Sequence, residues 1–202
     1  MSETRMPTQK RSIEKRNKII ESGFNLICNK GYYNVNTNEI ASDAGVSVGI
    51  LYQYFNDKKE IFIEGIKNYS ANIMYPMVNV FETEKVDLKK LDILLDHMID
   101  GFIKTHNKNQ KAHNELSAME HSDSDVAKIL EDEEIKTTTK LCNILRNNGL
   151  SIDNLDEKMH ICYRMIDEYC HEVIYHKHDN LNYDVMKKVI INSVIDILNK
   201  NL

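Results

Sequence analysis

The 202-residue sequence contains few residues that interrupt helices: two prolines and seven glycines. Because these residues mark most turns and loops, their scarcity favours long helices over a strand-rich fold. No apolar run approaches the roughly 18 residues that a membrane span needs, and residues 1–10 lack the apolar stretch of a secretory signal. We therefore expect a cytoplasmic protein that does not enter a membrane.

The sequence also lacks the motifs of common enzymes and metal sites. It contains no GxSxG, P-loop, HExxH or dinucleotide-binding fingerprint. Its four cysteines show no CxxC spacing, which predicts reduced, buried thiols rather than disulfides. We expect no enzymatic activity, no cofactor and no bound metal. Metal sensing stays open as an alternative at two groups of residues: His113, Glu120 and His121, and Cys162, Cys170 and His171.

Charge is distributed unevenly along the chain. The formal net charge of −5 by itself argues against binding to a nucleic acid. However, residues 1–30 carry seven basic and three acidic side chains, whereas residues 61–202 carry 17 basic and 24 acidic ones. This asymmetry indicates a nucleic-acid or membrane contact at the basic end. A solvated basic tail explains the same charges equally well.

Apolar periodicity predicts helices over most of the chain, about nine in all. Gly31 ends the first helix, Asn36 and Glu39 form a capping box before the second, and Ser47 caps the third. Pro76 is expected to end the fourth helix. The predicted helices cover residues 12–30, 37–44, 48–55, 58–75, 87–106, 109–121, 124–147, 155–176 and 182–200.

Residues 36–62 contain two short predicted helices joined by a tight turn. Gly45 supplies the backbone freedom that the turn needs. Six apolar residues are spaced to pack the two helices together: Ile40, Ala41, Ala44, Val46, Ile50 and Leu51. This arrangement is typical of a helix-turn-helix, whose second helix enters the major groove of DNA. On this pattern alone, a generic helical hairpin remains the alternative.

Residues 12–64 carry further features that a generic helical hairpin would not need. They are Gly31-Tyr32, Ile40-Ala41, Ala44-Gly45-Val46-Ser47, Gly49, Leu51-Tyr52, Tyr54-Phe55, Lys58 and Glu60. In this combination the chain resembles the TetR family of bacterial transcriptional regulators. The resemblance implies an all-α fold with a three-helix DNA-binding domain at residues 1–57 and an effector-binding and dimerisation domain at residues 58–202. Beyond residue 64 the chain matches the family only in length and helical character.

The resemblance implies DNA contacts at the starts of two helices. Thr37 is expected to meet a phosphate with its hydroxyl and the N-terminus of the second helix. Ser47, Val48 and Gly49 are expected to meet base edges, with Gly49 allowing close approach to the groove. Val48 departs from the lysine, arginine or proline that the family often has there.

Because valine cannot donate a hydrogen bond to guanine, direct polar readout at residue 48 is limited. Gln53 or Asn38 is expected to recognise some of the bases. Contacts to thymine methyl groups and the shape of the DNA are expected to supply more of the sequence specificity. The family's usual threonine before the second helix is replaced by Asn36, which also caps well.

Two aromatic residues and a lysine complete the implied DNA-binding set. Tyr52 and Tyr54 match aromatics that contact phosphates or thymine methyls, and Lys58 matches a phosphate-binding lysine. The basic segment 10–18 would follow the adjacent backbone or minor groove. As alternatives, Tyr52 and Phe55 could belong to the core, and Lys58 could be an ordinary surface lysine.

The remaining helices are expected to dimerise the protein and to bind a ligand. A single helix-turn-helix offers little interface, so dimers read two half-sites. The last predicted helix is apolar on more than one face, which favours a homodimer through the last two helices, with a monomer as the alternative. An effector pocket between the middle helices has five candidate lining residues, although a methionine stripe at helical spacing is more often plain core: Met98, Phe102, Met119, Tyr163 and Ile166.

We therefore expect a ligand-responsive transcriptional regulator, most simply a repressor. It would bind a palindromic operator in double-stranded DNA as a homodimer, and a small-molecule effector would release it. The alternative is an architectural or division-linked DNA-binding protein without an effector.

Overall fold

The computed structural model describes the backbone of residues 9–83, 90–107 and 109–199, with side chains at these positions except 73–77, 80 and 83. These residues form nine α-helices and one 3-10 turn and contain no strand, which confirms the all-α prediction. The helices are α1 (Lys10–Lys30), α2 (Thr37–Asp43), α3 (Val48–Tyr54), α4 (Lys58–Thr83), α5 (Leu91–His106), α6 (Gln110–Ser122), α7 (Ser124–Asn147), α8 (Leu155–Tyr175) and α9 (Tyr183–Asn199); the 3-10 turn is Tyr32–Asn34. Among the described residues, no helix combines the length and apolar character of a bilayer span.

The prediction that Pro76 ends the fourth helix is wrong, because α4 continues to Thr83. A proline inside a helix costs about 3 kcal/mol through its missing N–H and its steric clash. Val78 and Phe81 follow it in the same helix and are only 4% and 6% exposed. Burying two such side chains contributes about 1.5–3 kcal/mol each, which offsets that cost. The predicted start of α5 at residue 87 and end of α9 at residue 200 lie outside the described residues.

The predicted caps of α2 and α3 are confirmed. The Asn36 side chain accepts hydrogen bonds from the N–H groups of Asn38 and Glu39, at 3.0 and 3.1 Å, and the Glu39 carboxylate accepts the N–H of Asn36 at 3.1 Å. The Ser47 hydroxyl accepts the N–H of Ile50 at 3.3 Å. Between these helices Gly45 has φ +67°, a conformation that glycine adopts without strain. Local chemistry therefore fixes both helix starts.

Backbone contacts divide the chain into two compact units. The N-terminal unit comprises Met1–Ser70 and Asn109–Glu131, and the C-terminal unit comprises Ala71–Lys108 and Asp132–Leu202. This division differs from the predicted boundary between residues 57 and 58, because the first part of α4 and residues of α6 and α7 belong to the N-terminal core. The separation of DNA binding and effector binding between two domains stays a prediction.

The core of the N-terminal unit forms where α1 and α4 approach closely. A Cβ atom added to Gly65 would lie 2.7 Å from Phe24, and one added to Gly23 would lie 2.5 Å from Ile61. Helices α2 and α3 pack on this pair through mostly buried residues. Of the six predicted packing residues, Ile40, Ala41, Ala44 and Leu51 are buried, and Val46 and Ile50 are half-buried.

The C-terminal unit is built on the packing of α5, α8 and α9 against one another. One of its buried polar side chains is His106, which is 5% exposed at the end of α5. The His106 ring lies 4.1 Å from the Phe102 ring and 5.4 Å from the His171 ring, measured between centroids. Burial, and next the proximity of His171, lower the pKa of His106 to about 4.

We predict that Gly65→Ala destabilises the protein while Gly101→Ala does not. The added methyl group at Gly65 meets the Phe24 side chain near its backbone, and such overpacking costs about 1–3 kcal/mol. Gly101 lies within α5 and a Cβ there meets nothing within 4 Å, so alanine should stabilise by up to about 1 kcal/mol. Urea unfolding of both variants measures these effects. Equal stability of Gly65→Ala and the unmodified protein would contradict the close α1–α4 approach.

We also predict that acid destabilises the C-terminal unit through His106. Because the folded pKa is lowered, the unfolded chain binds more protons between pH 6.5 and 4, and the free energy of unfolding falls as pH falls through that window. The contribution reaches up to about 3 kcal/mol. His106→Leu should flatten this part of the profile of unfolding free energy against pH. His97→Leu is the control, since His97 is exposed on the same helix, and it should retain the original slope.

Candidate nucleic-acid interface

Two pairs of hydroxyl groups organise the surface around α3. The Tyr52 hydroxyl lies 3.0 Å from the Thr37 hydroxyl at the start of α2. The Tyr54 hydroxyl lies 3.0 Å from the hydroxyl of Ser12 in the first turn of α1. Each pair leaves capacity to donate a further hydrogen bond, since a hydroxyl both donates and accepts. Together they form a polar surface suited to phosphate oxygens.

The exposure of Tyr52 decides between its two predicted roles. Its side chain is 49% exposed, so the alternative that it belongs to the core is wrong. Phe55 is fully buried and Leu51 is fully buried one turn before it, which confirms the core alternative for Phe55. Leu51 and Phe55 therefore mark the buried side of α3, and Tyr52 lies on its exposed side.

The N-terminal turn of α3 presents an open surface. Ser47 and Gly49 are exposed and Val48 is half-buried, and a Cβ added to Gly49 would meet nothing within 4 Å. Gln53 is exposed one turn further along the helix, and Asn38 is exposed on α2. The predicted base-contacting residues therefore lie at the surface and are accessible to a large partner.

Lys58 has a geometry that the sequence did not reveal. Its ammonium donates hydrogen bonds to the carbonyl oxygens of Tyr32 and Val35, at 2.6 and 2.9 Å, and lies 4.3 Å from the centre of the Tyr32 ring. Lys58 is therefore not an ordinary surface lysine. Two of its three N–H donors hold the segment between α1 and α2 on the start of α4, which leaves one for a phosphate.

The basic residues of α1 differ in how their charges are compensated. Arg16 forms an ion pair with Glu64 at 2.6 Å and lies 5.0 Å from the centre of the Phe55 ring. Lys10 and Arg11 are exposed and form no ion pair with any residue that the structure describes. Lys10 and Arg11, which adjoin the Ser12 that contacts Tyr54, are therefore available to an anionic partner near α3, whereas Arg16 is paired.

Helix α6 and the start of α7 also support this surface. The Glu115 carboxylate accepts the N–H of Tyr32 at 2.6 Å, next to Gly31. Lys59, in the first turn of α4, pairs with Asp123 at 2.9 Å and with Asp125 at 2.6 Å. These contacts cannot be predicted from the sequence, because the partners are more than 60 residues apart and no local pattern marks them.

The C-terminal unit contains a cavity at three of the five predicted pocket residues. Met98, Tyr163 and Ile166 line it. Phe102 is fully buried but does not line the cavity. Met119 lies elsewhere, in the core of the N-terminal unit, because α6 packs on α1; its placement in the predicted pocket was wrong. The space that the cavity offers to water is small, about 30 Å³.

The four cysteines are unsuited to thiol chemistry at neutral pH. Burial raises the pKa of Cys28 to about 12 and the pKa values of Cys142 and Cys162 to about 11. Burial also raises the pKa of Cys170. Because the thiolate is the reactive and metal-binding form, these protonated thiols behave as small apolar side chains.

The sequence similarity to known proteins is concentrated in the N-terminal part of the chain. Residues 19–64 match the family described as "Bacterial regulatory proteins, tetR family". The chain is 42% identical over 55 residues to the HTH-type transcriptional regulator HbdR of Aromatoleum sp. (strain CIB). The matched segment covers 27% of this chain and 24% of that protein. It is 30% identical over 87 residues to the nucleoid occlusion factor SlmA of Aliivibrio fischeri, covering 42% and 44% of the two chains.

The fold likeness extends further than the sequence likeness. The crystal structure of a candidate TetR-family transcriptional regulator from Mesorhizobium loti matches with a TM-score of 0.72 at 17% identity, covering 94% of this chain and 98% of that chain. By sequence, the chain spans less than half the length of the two curated relatives described above. One of these relatives is named as a transcriptional regulator and the other as a nucleoid occlusion factor.

We predict that Lys58→Ala destabilises the protein by about 1–3 kcal/mol, because two carbonyl oxygens lose a charged donor. Lys18→Ala is the matched control, since Lys18 is an exposed lysine of α1, and its effect should stay within about 0.5 kcal/mol. Urea unfolding distinguishes the two. A Lys58→Ala protein as stable as the control would show that these hydrogen bonds contribute nothing.

Proposed function

Because this chain belongs to the TetR family of bacterial regulatory proteins, we propose that it is a DNA-binding transcriptional regulator of the cytoplasm, acting as a repressor. It binds a palindromic operator as a homodimer, and a small-molecule effector releases it. The observation that carries this proposal is the exposed Tyr52 hydroxyl, held against Thr37 beside the open N-terminal turn of α3.

The polar groups around α3 suit the backbone of DNA, and its first turn suits the base edges. Thr37 and Tyr52 together offer two hydroxyls to a phosphate. Val48 is only half-buried, so its methyl groups can contact a thymine methyl, and the exposed Gln53 amide can pair with adenine. These residue types favour an operator that contains A·T pairs and is read by methyl contacts and DNA shape more than by contacts to guanine.

Dimerisation would occur through α8 and α9. Ile161 on α8 and Val185 and Val189 on α9 are 52%, 55% and 56% exposed. Large apolar side chains at half exposure on two packed helices favour burial against a second copy. A two-fold dimer would then place two copies of α3 about 34–36 Å apart, the half-site spacing of one DNA turn.

Release by an effector requires unequal affinity for two conformations of the dimer. An effector that prefers a conformation with another α3 spacing shifts the population away from DNA. Helix α4 is the lever that we propose, because it contributes Phe62 to the N-terminal core and Phe81 to the cavity wall.

A second candidate is an architectural or division-linked DNA-binding protein without an effector. The similarity to a nucleoid occlusion factor over 87 residues supports this second candidate. The two functions differ in what a ligand does, since only the regulator loses operator affinity when its cavity is filled.

The operator is found by selection from a pool of randomised duplexes at near-physiological salt. The expected result is enrichment of an inverted repeat, which Tyr52→Ala abolishes. If no sequence is enriched and binding falls steeply with salt, the protein binds DNA through charge alone. That outcome would favour the architectural function.

We predict that Arg11→Ala and Arg16→Ala affect operator binding differently. Each phosphate contact contributes about 0.9 to the slope of log affinity against log salt concentration. Arg11 is exposed, so its loss should lower the slope by about one contact, whereas the charge of Arg16 is already paired with Glu64 and its loss should leave the slope unchanged. Fluorescence anisotropy at several salt concentrations measures both. A reduced slope for Arg16→Ala and an unchanged one for Arg11→Ala would reverse the assignment.

A further inference from the structure

The cavity of the C-terminal unit has a uniform chemical lining. The part of its wall that the structure describes is formed by 13 side chains of α4, α5, α7, α8, α9 and the segment between α7 and α8. None of these side chains is charged. The thiol of Cys162 and the hydroxyl of Tyr163 are the only N–H, O–H or S–H groups that they carry, and burial raises the pKa of both.

This lining selects against a charged ligand group. Moving an ion from water into such a wall without a partner is costly, whereas apolar surface gains by the same transfer. The favourable ligand is therefore one that replaces water by hydrocarbon. The space that water can occupy inside the wall is about 30 Å³, so a bulky ligand would have to displace parts of the wall.

The wall is suited to such a displacement. Met98 on α5 and Met159 on α8 both line the cavity, and unbranched thioether side chains change rotamer at little cost. Leu95 lies on the same helix as Met98 and also lines the cavity. A slender, flexible ligand can enter between such side chains with less rearrangement than a rigid, bulky one.

We propose that the effector of this protein is a hydrocarbon-rich molecule whose buried part is an uncharged, flexible aliphatic chain held in this cavity. The effector role rests on the regulator function proposed above, whereas binding to the cavity does not. The chain would lie among Leu95, Met98, Met159 and Ile166, where the described side chains of the wall offer a charged end group no partner.

Straight-chain alcohols are the probes that test this proposal. Isothermal titration calorimetry of the full chain with 1-pentanol to 1-octanol should give one site per protomer, with an affinity that rises about fourfold for each added methylene. At equal length, octylamine and octanoate should bind at least tenfold more weakly than 1-octanol. Equal or tighter binding of either ion would overturn the proposal, because it would place a partner charge at the site.

Two adjacent leucines of α5 provide matched variants. Leu94 and Leu95 are 5% and 3% exposed, and only Leu95 lines the cavity. Leu95→Ala removes part of the wall that a ligand must displace, so it should bind 1-octanol at least fourfold more tightly than the unmodified protein. Leu94→Ala should leave the affinity unchanged. Equal affinities of the two variants would mean that the alcohol binds elsewhere.

A filling variant covers the case in which Leu95→Ala does not fold. Cys162 lines the cavity and Cys170, two turns later on α8, does not. Cys162→Leu should weaken 1-octanol binding at least tenfold, and Cys170→Leu should not. Melting temperatures with and without alcohol show which variants are folded, and unchanged binding by a folded Cys162→Leu protein would also overturn the proposal.

The operator assay separates this inference from the proposed function. If alcohols bind with the expected pattern but leave operator affinity unchanged, the cavity binds hydrocarbon and the effector role is wrong. If the protein selects an inverted repeat but no alcohol binds, the regulator function stands and the hydrocarbon proposal fails.

Discussion

The close approach of α1 and α4 is the constraint on which the candidate interface depends. Gly23 faces Ile61 and Gly65 faces Phe24, so each helix has a glycine where the other presents a bulky side chain. This contact fixes the platform on which α2 and α3 rest. Arg16 and Glu64 form an ion pair across the same two helices. The position of Tyr52 is therefore set by packing that lies well below the surface.

Charge near α3 is also governed by this packing. Counting side chains from the sequence treats every basic residue of α1 as available to DNA. In the structure, Arg16 is engaged by Glu64 and Lys58 by two carbonyl oxygens, and both serve to hold helices together. The exposed Lys10 and Arg11 are left as cations without an ion pair among the described residues. A cation can thus contribute to DNA binding indirectly, through the geometry that it stabilises.

The helix-turn-helix could be predicted from the sequence because its determinants are local. Asn36, Glu39 and Ser47 act on backbone groups two or three residues away, and Gly45 acts on its own backbone. Their effects do not depend on the rest of the fold, so the predicted starts of α2 and α3 are correct to the residue.

The errors arose where distant packing decides the outcome. Periodicity showed that Met119 faces inward but could not tell which core it enters, and α6 carries it into the N-terminal unit. Similarly, the local penalty at Pro76 predicted a helix end, whereas the burial of Val78 and Phe81 prolongs α4. The predicted DNA-binding residues lie around α3 as expected, but Ser12 and Glu115 come from remote segments that carry no motif.

The small cavity of the C-terminal unit bears on how the proposed effector would act. A ligand that binds two conformations equally shifts neither, however tightly it binds. A preformed, open pocket in a rigid unit would have this property. Here the space that water can occupy is about 30 Å³, so the hydrocarbon chain proposed above would favour a conformation in which the wall has moved. Such a ligand would bind the two conformations unequally. Helix α4 contributes Phe81 to that wall, so a displaced wall can alter the helix whose first turns hold Lys58 and the N-terminal core.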